Sequence, residues 1–145
     1  MYTVKTCVSF EAAHRLYGVD TYSKECRDNL HGHSFKCFID LGRQELNESG
    51  MVVDFKLFKK IINETVTEKY DHSVIVRDSD PLAKPLAENC KKVNVVSFEP
   101  TAEHLARSIF YALKSAFVEI DEEVRILQVS IQETENNIAS YTEIQ

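Results

Sequence analysis

The spacing of hydrophobic residues changes along this chain, and that change limits its fold more than any other feature. Apolar and polar residues nearly alternate towards both ends, whereas the middle repeats apolar residues every three or four positions. Alternation is typical of strands with one buried face, and the wider spacing is typical of helices that bury one stripe. The pattern therefore predicts strands at the ends and helices in the centre.

Four segments carry the alternating pattern and two carry the helical one. The predicted strands are residues 2–11, 34–41, 124–131 and 138–144, with 93–98 a candidate for one further short strand. One predicted helix covers residues 55–69, behind the N-cap residue Asp54. The other opens at Pro100-Thr101 and ends near residue 118.

The order ββααββ describes an α+β domain in which two helices cover one face of an antiparallel sheet. Residues 1–145 are expected to form a single domain, because this length is close to the commonest domain size. A sheet of four main strands has two open edges, and unpaired edges invite pairing with a second copy. We therefore expect a closed homo-oligomer, whose number of subunits the sequence leaves open.

Charge and composition argue against several classes of function. The net charge is -6 and the pI is about 5.4, whereas a general nucleic-acid binder needs a basic face. The chain has no apolar signal core at its start and no apolar run near the roughly 20 residues that cross a bilayer. Its four cysteines form no CxxC pair, which favours reduced thiols in the cytoplasm. We expect neither a nucleic-acid nor a membrane partner.

Two histidine clusters are the main chemical signal. His31-Gly32-His33 points two imidazoles to the same face if the segment is a strand, because side chains at i and i+2 share a face. A third histidine would complete a three-nitrogen zinc site with one position open, which is the pattern of catalytic zinc. An isolated His-X-His pair is more often a packing or surface feature, so the pair gains weight from His14 upstream and Asp71-His72 downstream.

Cys26 is the cysteine best placed for chemistry. It lies in a polar stretch between Lys24 and Arg27, whose positive charges favour a thiolate, whereas Cys7 and Cys37 sit in strand patterns and are read as packing residues.

Acidic residues supply two further candidates, each with a plainer alternative. Asp71 can orient His72 and stabilise its protonated form if the side chains meet, although a solvated pair at a helix end fits equally well. Glu133 lies in a turn that is ordinarily solvent-exposed, but in a pocket its two oxygens would match adjacent N–H groups of a guanine-like ring. His104 is read as part of the exposed face of its helix.

Most of these candidate residues lie in six short motifs that follow one another along the chain. They are Phe10-Glu11-Ala12-Ala13-His14, Cys26 before His31-Gly32-His33, Gly50-Met51-Val52-Val53-Asp54-Phe55, Asp71-His72, Pro100-Thr101-Ala102-Glu103 and Gln132-Glu133-Thr134. Together they span nearly the whole chain and resemble the 6-pyruvoyltetrahydropterin synthase and 6-carboxytetrahydropterin synthase family. The resemblance implies the tunnelling fold (T-fold), in which ββααββ subunits join their sheets into an oligomeric barrel, commonly two stacked trimers, with pockets at subunit interfaces.

The resemblance also implies a role for each matching residue. The implied zinc ligands are His14, His31 and His33, the implied catalytic residues are Cys26, Asp71 and His72, and the implied pterin-pocket residues are Glu133, Thr101 and Glu103. The family substrate is 7,8-dihydroneopterin triphosphate. Zinc would be the only cofactor, because the redox change stays within the substrate. Lys24, Arg27 and Arg15 are candidate partners of the triphosphate.

Three functions fit the resemblance, two catalytic and one not. The carboxy branch, which releases acetaldehyde and triphosphate on the route to queuosine, ranks first because residues 29–35 resemble that branch. The pyruvoyl branch ranks second. The four residues between Cys26 and His31 match neither branch's usual spacing, so this spacing does not decide between the branches. Asp28 is an alternative to Cys26 for proton transfer, because some relatives place an acidic residue there. A non-catalytic zinc-binding or pterin-binding oligomer is the third possibility.

Overall fold

A computed structural model describes residues 1–21 and 23–143 of the chain. The strands are β1 (Tyr2–His14), β2 (His31–Arg43), β3 (Ser73–Arg77), β4 (Val93–Val96), β5 (Arg125–Thr134) and β6 (Asn137–Tyr141). The α-helices are α1 (Lys24–Asp28), α2 (Phe55–Ile62), α3 (Glu68–Tyr70), α4 (Ala83–Asn89) and α5 (Ala102–Val118). A π-helical turn (Asn63–Thr67) joins α2 to α3.

The strands form one mixed sheet in the order β4-β3-β1-β2-β5-β6. The four predicted strands are confirmed as its antiparallel part, β1-β2-β5-β6. The prediction of a wholly antiparallel sheet is wrong, because β3 pairs in parallel with β1 and β4 pairs in parallel with β3. The last predicted strand ends at Tyr141, and residues 144–145 lie outside the described part of the chain.

The two predicted helical segments are confirmed, and their apolar stripes are buried together with residues of the sheet. The Asp54 carboxylate caps α2 by accepting from the backbone N–H groups of Lys56 and Leu57. The Thr101 hydroxyl caps α5 by accepting from the N–H of His104. Both contacts satisfy donors that a helix start leaves free. The core includes Phe10, Phe35 and Ile39 from the sheet with Phe58, Ile62, Phe110 and Leu113 from the helices.

The 55–69 helix is interrupted, and strands β1 and β2 are longer than predicted. The π-helical turn buries Val66 and is followed by the short α3, which buries Tyr70. Strands β1 and β2 continue to His14 and from His31, so the histidines belong to the sheet. Among the described residues, no helix combines the length and the apolar composition needed to span a membrane.

Candidate metal centre and active site

Strand pairing brings three histidines together. In the antiparallel register of β1 and β2, His14 lies opposite His31 and Ala12 lies opposite His33. Because residues i and i+2 of a strand share a face, the three imidazoles emerge on one side of the sheet. Their candidate ligand atoms all lie within 4.8 Å of one another. This is the His14, His31 and His33 set implied by the sequence resemblance.

Backbone carbonyls fix the orientation of two of these rings. His14 Nδ1 lies 2.7 Å from the carbonyl oxygen of Pro100, and His31 Nδ1 lies 3.1 Å from that of Asn29. A carbonyl only accepts, so each Nδ1 carries the hydrogen and each Nε2 keeps a lone pair for a metal. The Nε2 atoms of His14 and His33 are buried without a hydrogen-bond partner among the described residues. Buried nitrogens of this kind fit a metal ion as their missing partner.

Burial favours the neutral imidazole at His14 and His33, which is the state that binds metals. Burial lowers the pKa of His14 to about 4, an effect that the hydrogen bond to Pro100 opposes and the neighbouring imidazoles reinforce. Burial also lowers the pKa of His33, against an opposing effect of the nearby Glu133 carboxylate. Near neutral pH, His14 therefore offers an uncharged nitrogen donor. Three nitrogen donors suit zinc, at ligand distances of about 2.0–2.1 Å.

Glu133 lies directly beside the histidines. Its Oε1 atom is 3.4 Å from His14 Nε2 and 3.8 Å from His33 Nε2. The residue is near the end of β5, which pairs with β2, and its side chain is 27% exposed. The carboxylate therefore lies at the boundary between the histidine cluster and solvent.

The three predicted pterin-pocket residues line one cavity of about 600 Å³. Thr101 and Glu103 come from the start of α5, and Glu133 comes from β5. The wall also includes Leu16, Val19 and Thr21, which belong to the connection between β1 and β2. The cavity adjoins the histidine cluster through Glu133, so a ligand held in it would lie next to the candidate metal site.

Cys26 lies in α1 and is half-buried. Its carbonyl accepts from the N–H of Leu16 at 3.0 Å, which closes the loop that leaves β1. Asp28 is exposed and bonded to the Arg27 guanidinium at 2.9 Å, an interaction that lowers the pKa of its carboxyl group. A carboxylate stabilised in this way is a weaker proton acceptor. Within the described residues, no hydrogen bond joins Cys26 to the histidines.

Asp71 and His72 lie beside each other, and no hydrogen bond among the described residues joins them to the three clustered imidazoles. The Asp71 carboxylate accepts from the Glu11 N–H at 2.8 Å and lies 3.8 Å from His72 Nε2. The His72 side chain is 83% exposed, and its backbone has φ 55°, a conformation that non-glycine residues rarely adopt. Strained backbone of this kind clusters at functional sites.

A second cavity, of about 320 Å³, lies next to His72. Its lining includes His33, one of the three clustered histidines, together with Glu11, Gly32 and Ser34. The relay of Asp71 and His72 beside the metal site stays a prediction.

Two of the candidate phosphate partners are already paired with carboxylates. Arg15 binds the buried Asp80, and Arg27 binds Asp28. Lys24 is exposed. The sequence analysis missed Asp80 and the Pro100 carbonyl, because neither a long-range ion pair nor a backbone acceptor leaves a local sequence signature.

Comparison with known proteins identifies the family of the chain. The family model described as 6-pyruvoyl tetrahydropterin synthase matches residues 3–144. The 6-carboxy-5,6,7,8-tetrahydropterin synthase of Haemophilus influenzae is 32% identical, over 99% of this chain and 100% of its own length. The enzyme of the same name from Aquifex aeolicus is 34% identical, over 92% of this chain and 93% of its own length.

A solved structure supports the fold over the same range. The 6-pyruvoyl tetrahydropterin synthase of Caenorhabditis elegans superposes with a TM-score of 0.69 and 29% identity, covering 99% of this chain and 96% of that chain. The ββααββ core with its two covering helices is therefore the T-fold. The chain belongs to the 6-pyruvoyl tetrahydropterin synthase family.

Proposed function

We propose that this protein is a zinc-dependent 6-carboxy-5,6,7,8-tetrahydropterin synthase acting on 7,8-dihydroneopterin triphosphate. The observation that carries the proposal is the histidine cluster next to the Glu133 carboxylate, in which two buried Nε2 atoms have no hydrogen-bond partner among the described residues. The names of the Haemophilus and Aquifex relatives support the carboxy product. Zinc bound to three nitrogens would act as a Lewis acid towards the hydroxyl groups of the substrate side chain.

Residues around the candidate site orient the histidine rings before any metal binds. Pro100 and Asn29 hold the rings of His14 and His31, so their Nε2 lone pairs converge before the metal binds. Fixed outer partners of this kind raise both metal affinity and the precision of the site. With three protein ligands, one coordination position stays open for substrate.

Glu133 would hold the pterin ring. A carboxylate accepts two parallel N–H bonds, as it does from a guanidinium, and the pterin edge presents the same pair of donors. Thr101 and Glu103 line the same cavity and would complete its polar wall. The ring would then lie at the mouth of the histidine cluster, with its side chain directed towards the imidazoles.

Cys26 would move the proton from the substrate side chain. Asp28 is the weaker candidate, because its bond to Arg27 lowers the pKa of its carboxyl group and so its basicity. His72, held by Asp71, would exchange the partner proton. Because no hydrogen bond among the described residues joins this pair to the histidine cluster of its own chain, we propose that a neighbouring copy supplies it in a trimer or hexamer.

The proposed reaction balances without an external oxidant. Substrate and one water give 6-carboxytetrahydropterin, acetaldehyde and triphosphate, and the two hydrogens gained by the ring come from the side chain. The product would serve queuosine and other 7-deazapurine synthesis. We expect the protein in the cytoplasm, where its four free thiols would stay reduced.

One observation favours the pyruvoyl reaction as a second candidate. The Caenorhabditis elegans 6-pyruvoyl tetrahydropterin synthase shares the fold over 99% of this chain. That reaction eliminates triphosphate but keeps the carbon skeleton, so it releases no acetaldehyde. The two candidates therefore differ in a volatile product that can be trapped.

Metal removal tests whether the site is catalytic. Chelation is expected to abolish turnover while the oligomer survives in light-scattering measurements, and zinc is expected to restore turnover. An open catalytic site predicts this result, because the hydrophobic core does not depend on the metal. Disassembly on chelation would instead indicate structural zinc, and a reconstituted protein without turnover would favour the binding-protein alternative.

A further inference from the structure

Glu99 is a buried carboxylate with no role in the chemistry proposed above. Its side chain is 8% exposed, and its Oε1 atom accepts from the backbone N–H of Gly18 at 2.7 Å. Arg77 Nη1 lies 3.4 Å from the same oxygen. The Oε2 atom is buried without a hydrogen-bond partner among the described residues. Burying a carboxylate is unfavourable unless it is well partnered, so stability alone explains this residue poorly.

The bond to Gly18 holds a wall of the 600 Å³ cavity. Leu16, Val19 and Thr21, which flank Gly18, line that cavity together with Thr101. The same loop is closed by the bond from the Leu16 N–H to the Cys26 carbonyl. Glu99 approaches the loop so closely that a Cβ atom added at Gly18 would clash with its Oε1 atom.

The residues after Glu99 contact two other parts of the site. The carbonyl of Pro100 accepts from the His14 ring at 2.7 Å. Thr101 caps α5 and lines the cavity. Three consecutive residues therefore contact the loop, contact one candidate metal ligand and line the cavity.

We infer that Glu99 is a positioning residue that fastens residues 16–21 as the wall of the pterin cavity. This inference rests on the proposed function for the identity of the ligand, but the loop contact itself does not. The carboxylate acts through the Gly18 N–H, so the acceptor oxygen matters more than the negative charge. Loss of the bond frees the wall and weakens substrate binding, while zinc binding by the histidines persists.

Two substitutions distinguish loss of the acceptor oxygen from loss of the whole side chain. Glu99→Ala is expected to raise KM for 7,8-dihydroneopterin triphosphate about tenfold, equivalent to roughly 1.4 kcal/mol of lost binding. We expect kcat to change less than about threefold and zinc content to stay at the wild-type level. Glu99→Gln keeps an oxygen for Gly18 and is expected to restore KM to near the wild-type value. Asp121→Ala, which breaks an ion pair with Arg43, is the matched control.

Gly18→Ala tests the same contact from the loop side and keeps the Glu99 side chain, although the added Cβ would also crowd Arg77 Nη1 at 2.9 Å. Its Cβ would displace the Glu99 carboxylate, so we expect the same rise in KM, and no further rise in the double variant with Glu99→Ala. Hydrogen exchange of residues 16–21 and alkylation of Cys26, followed by peptide mass spectrometry, are expected to quicken in Glu99→Ala and Gly18→Ala.

These measurements distinguish failure of the inference from failure of the proposed function. Unchanged KM and unchanged exchange of residues 16–21 in Glu99→Ala would overturn the inference, even if the protein were less stable. A KM defect that Glu99→Gln fails to rescue would also overturn it, since the acceptor would then not be the cause. If wild-type protein neither binds nor converts the pterin, the proposed function fails, and hydrogen exchange alone decides whether Glu99 fastens the loop.

Discussion

The ion pair between Arg15 and Asp80 offers a quantitative test of what stabilises the fold next to His14. Asp80 has a fully buried side chain and Arg15 is 12% exposed. The carboxylate accepts from Arg15 Nε at 2.8 Å, from Arg15 Nη2, and from the Leu82 N–H at 2.8 Å. Asp80→Ala would leave a nearly buried guanidinium and a backbone N–H without partners. Removing one member of a buried pair costs about 3–5 kcal/mol of unfolding free energy.

We expect the lower end of this range, about 3 kcal/mol, because the slight exposure of Arg15 lets water reach it. Urea unfolding of the metal-free protein at fixed protein concentration measures the loss, since association also contributes to stability. Lys84→Ala is the control: Lys84 is 86% exposed and 3.9 Å from Glu88, so its loss is expected to cost under about 1 kcal/mol. Equal losses in the two variants would refute the reasoning.

Three further predictions concern the site residues. Cys26→Ser is expected to lower kcat at least about 100-fold, whereas Cys90→Ser, at an exposed thiol, leaves it unchanged; equal rates would remove the role assigned to Cys26. Glu133→Gln is expected to weaken pterin binding about tenfold or more in fluorescence titrations, and unchanged affinity would contradict its anchoring role. In metal-free protein, the unfolded chain protonates at His14 below its ordinary pKa of 6.5 while the folded imidazole stays neutral down to about 4. The contribution of His14 to the free energy of unfolding is therefore fully present above pH 6.5. About 2–3 kcal/mol of it is lost as the pH falls towards 4. His14→Asn is expected to remove this part of the pH dependence in urea unfolding, and identical pH slopes would contradict it.

The sequence predicted the antiparallel part of the fold because its signals are local. Alternating residues identify strands without knowledge of their partners, and Asp54 and Thr101 mark helix starts by the caps they form. The histidine cluster was predictable in part for the same reason. The i, i+2 spacing placed His31 and His33 on one face, but only the strand register placed His14 opposite His31.

The missed features depend on tertiary context. Strand β3 is a short, largely buried run between parallel neighbours, and such strands show no alternation. The polar residues around His14 and His31 hid the full length of β1 and β2, because strand ends near a site need not alternate. The contact of Glu99 with Gly18 and that of Asp80 with Arg15 each join residues more than sixty positions apart, and no local pattern indicates them.

The identity of the reaction products tests the central claim most directly. Zinc-loaded protein would be incubated with 7,8-dihydroneopterin triphosphate, with acetaldehyde trapped and pterins followed by mass spectrometry. Our account predicts 6-carboxytetrahydropterin with stoichiometric acetaldehyde and triphosphate. Pyruvoyltetrahydropterin without acetaldehyde, or unchanged substrate despite bound zinc, would contradict it.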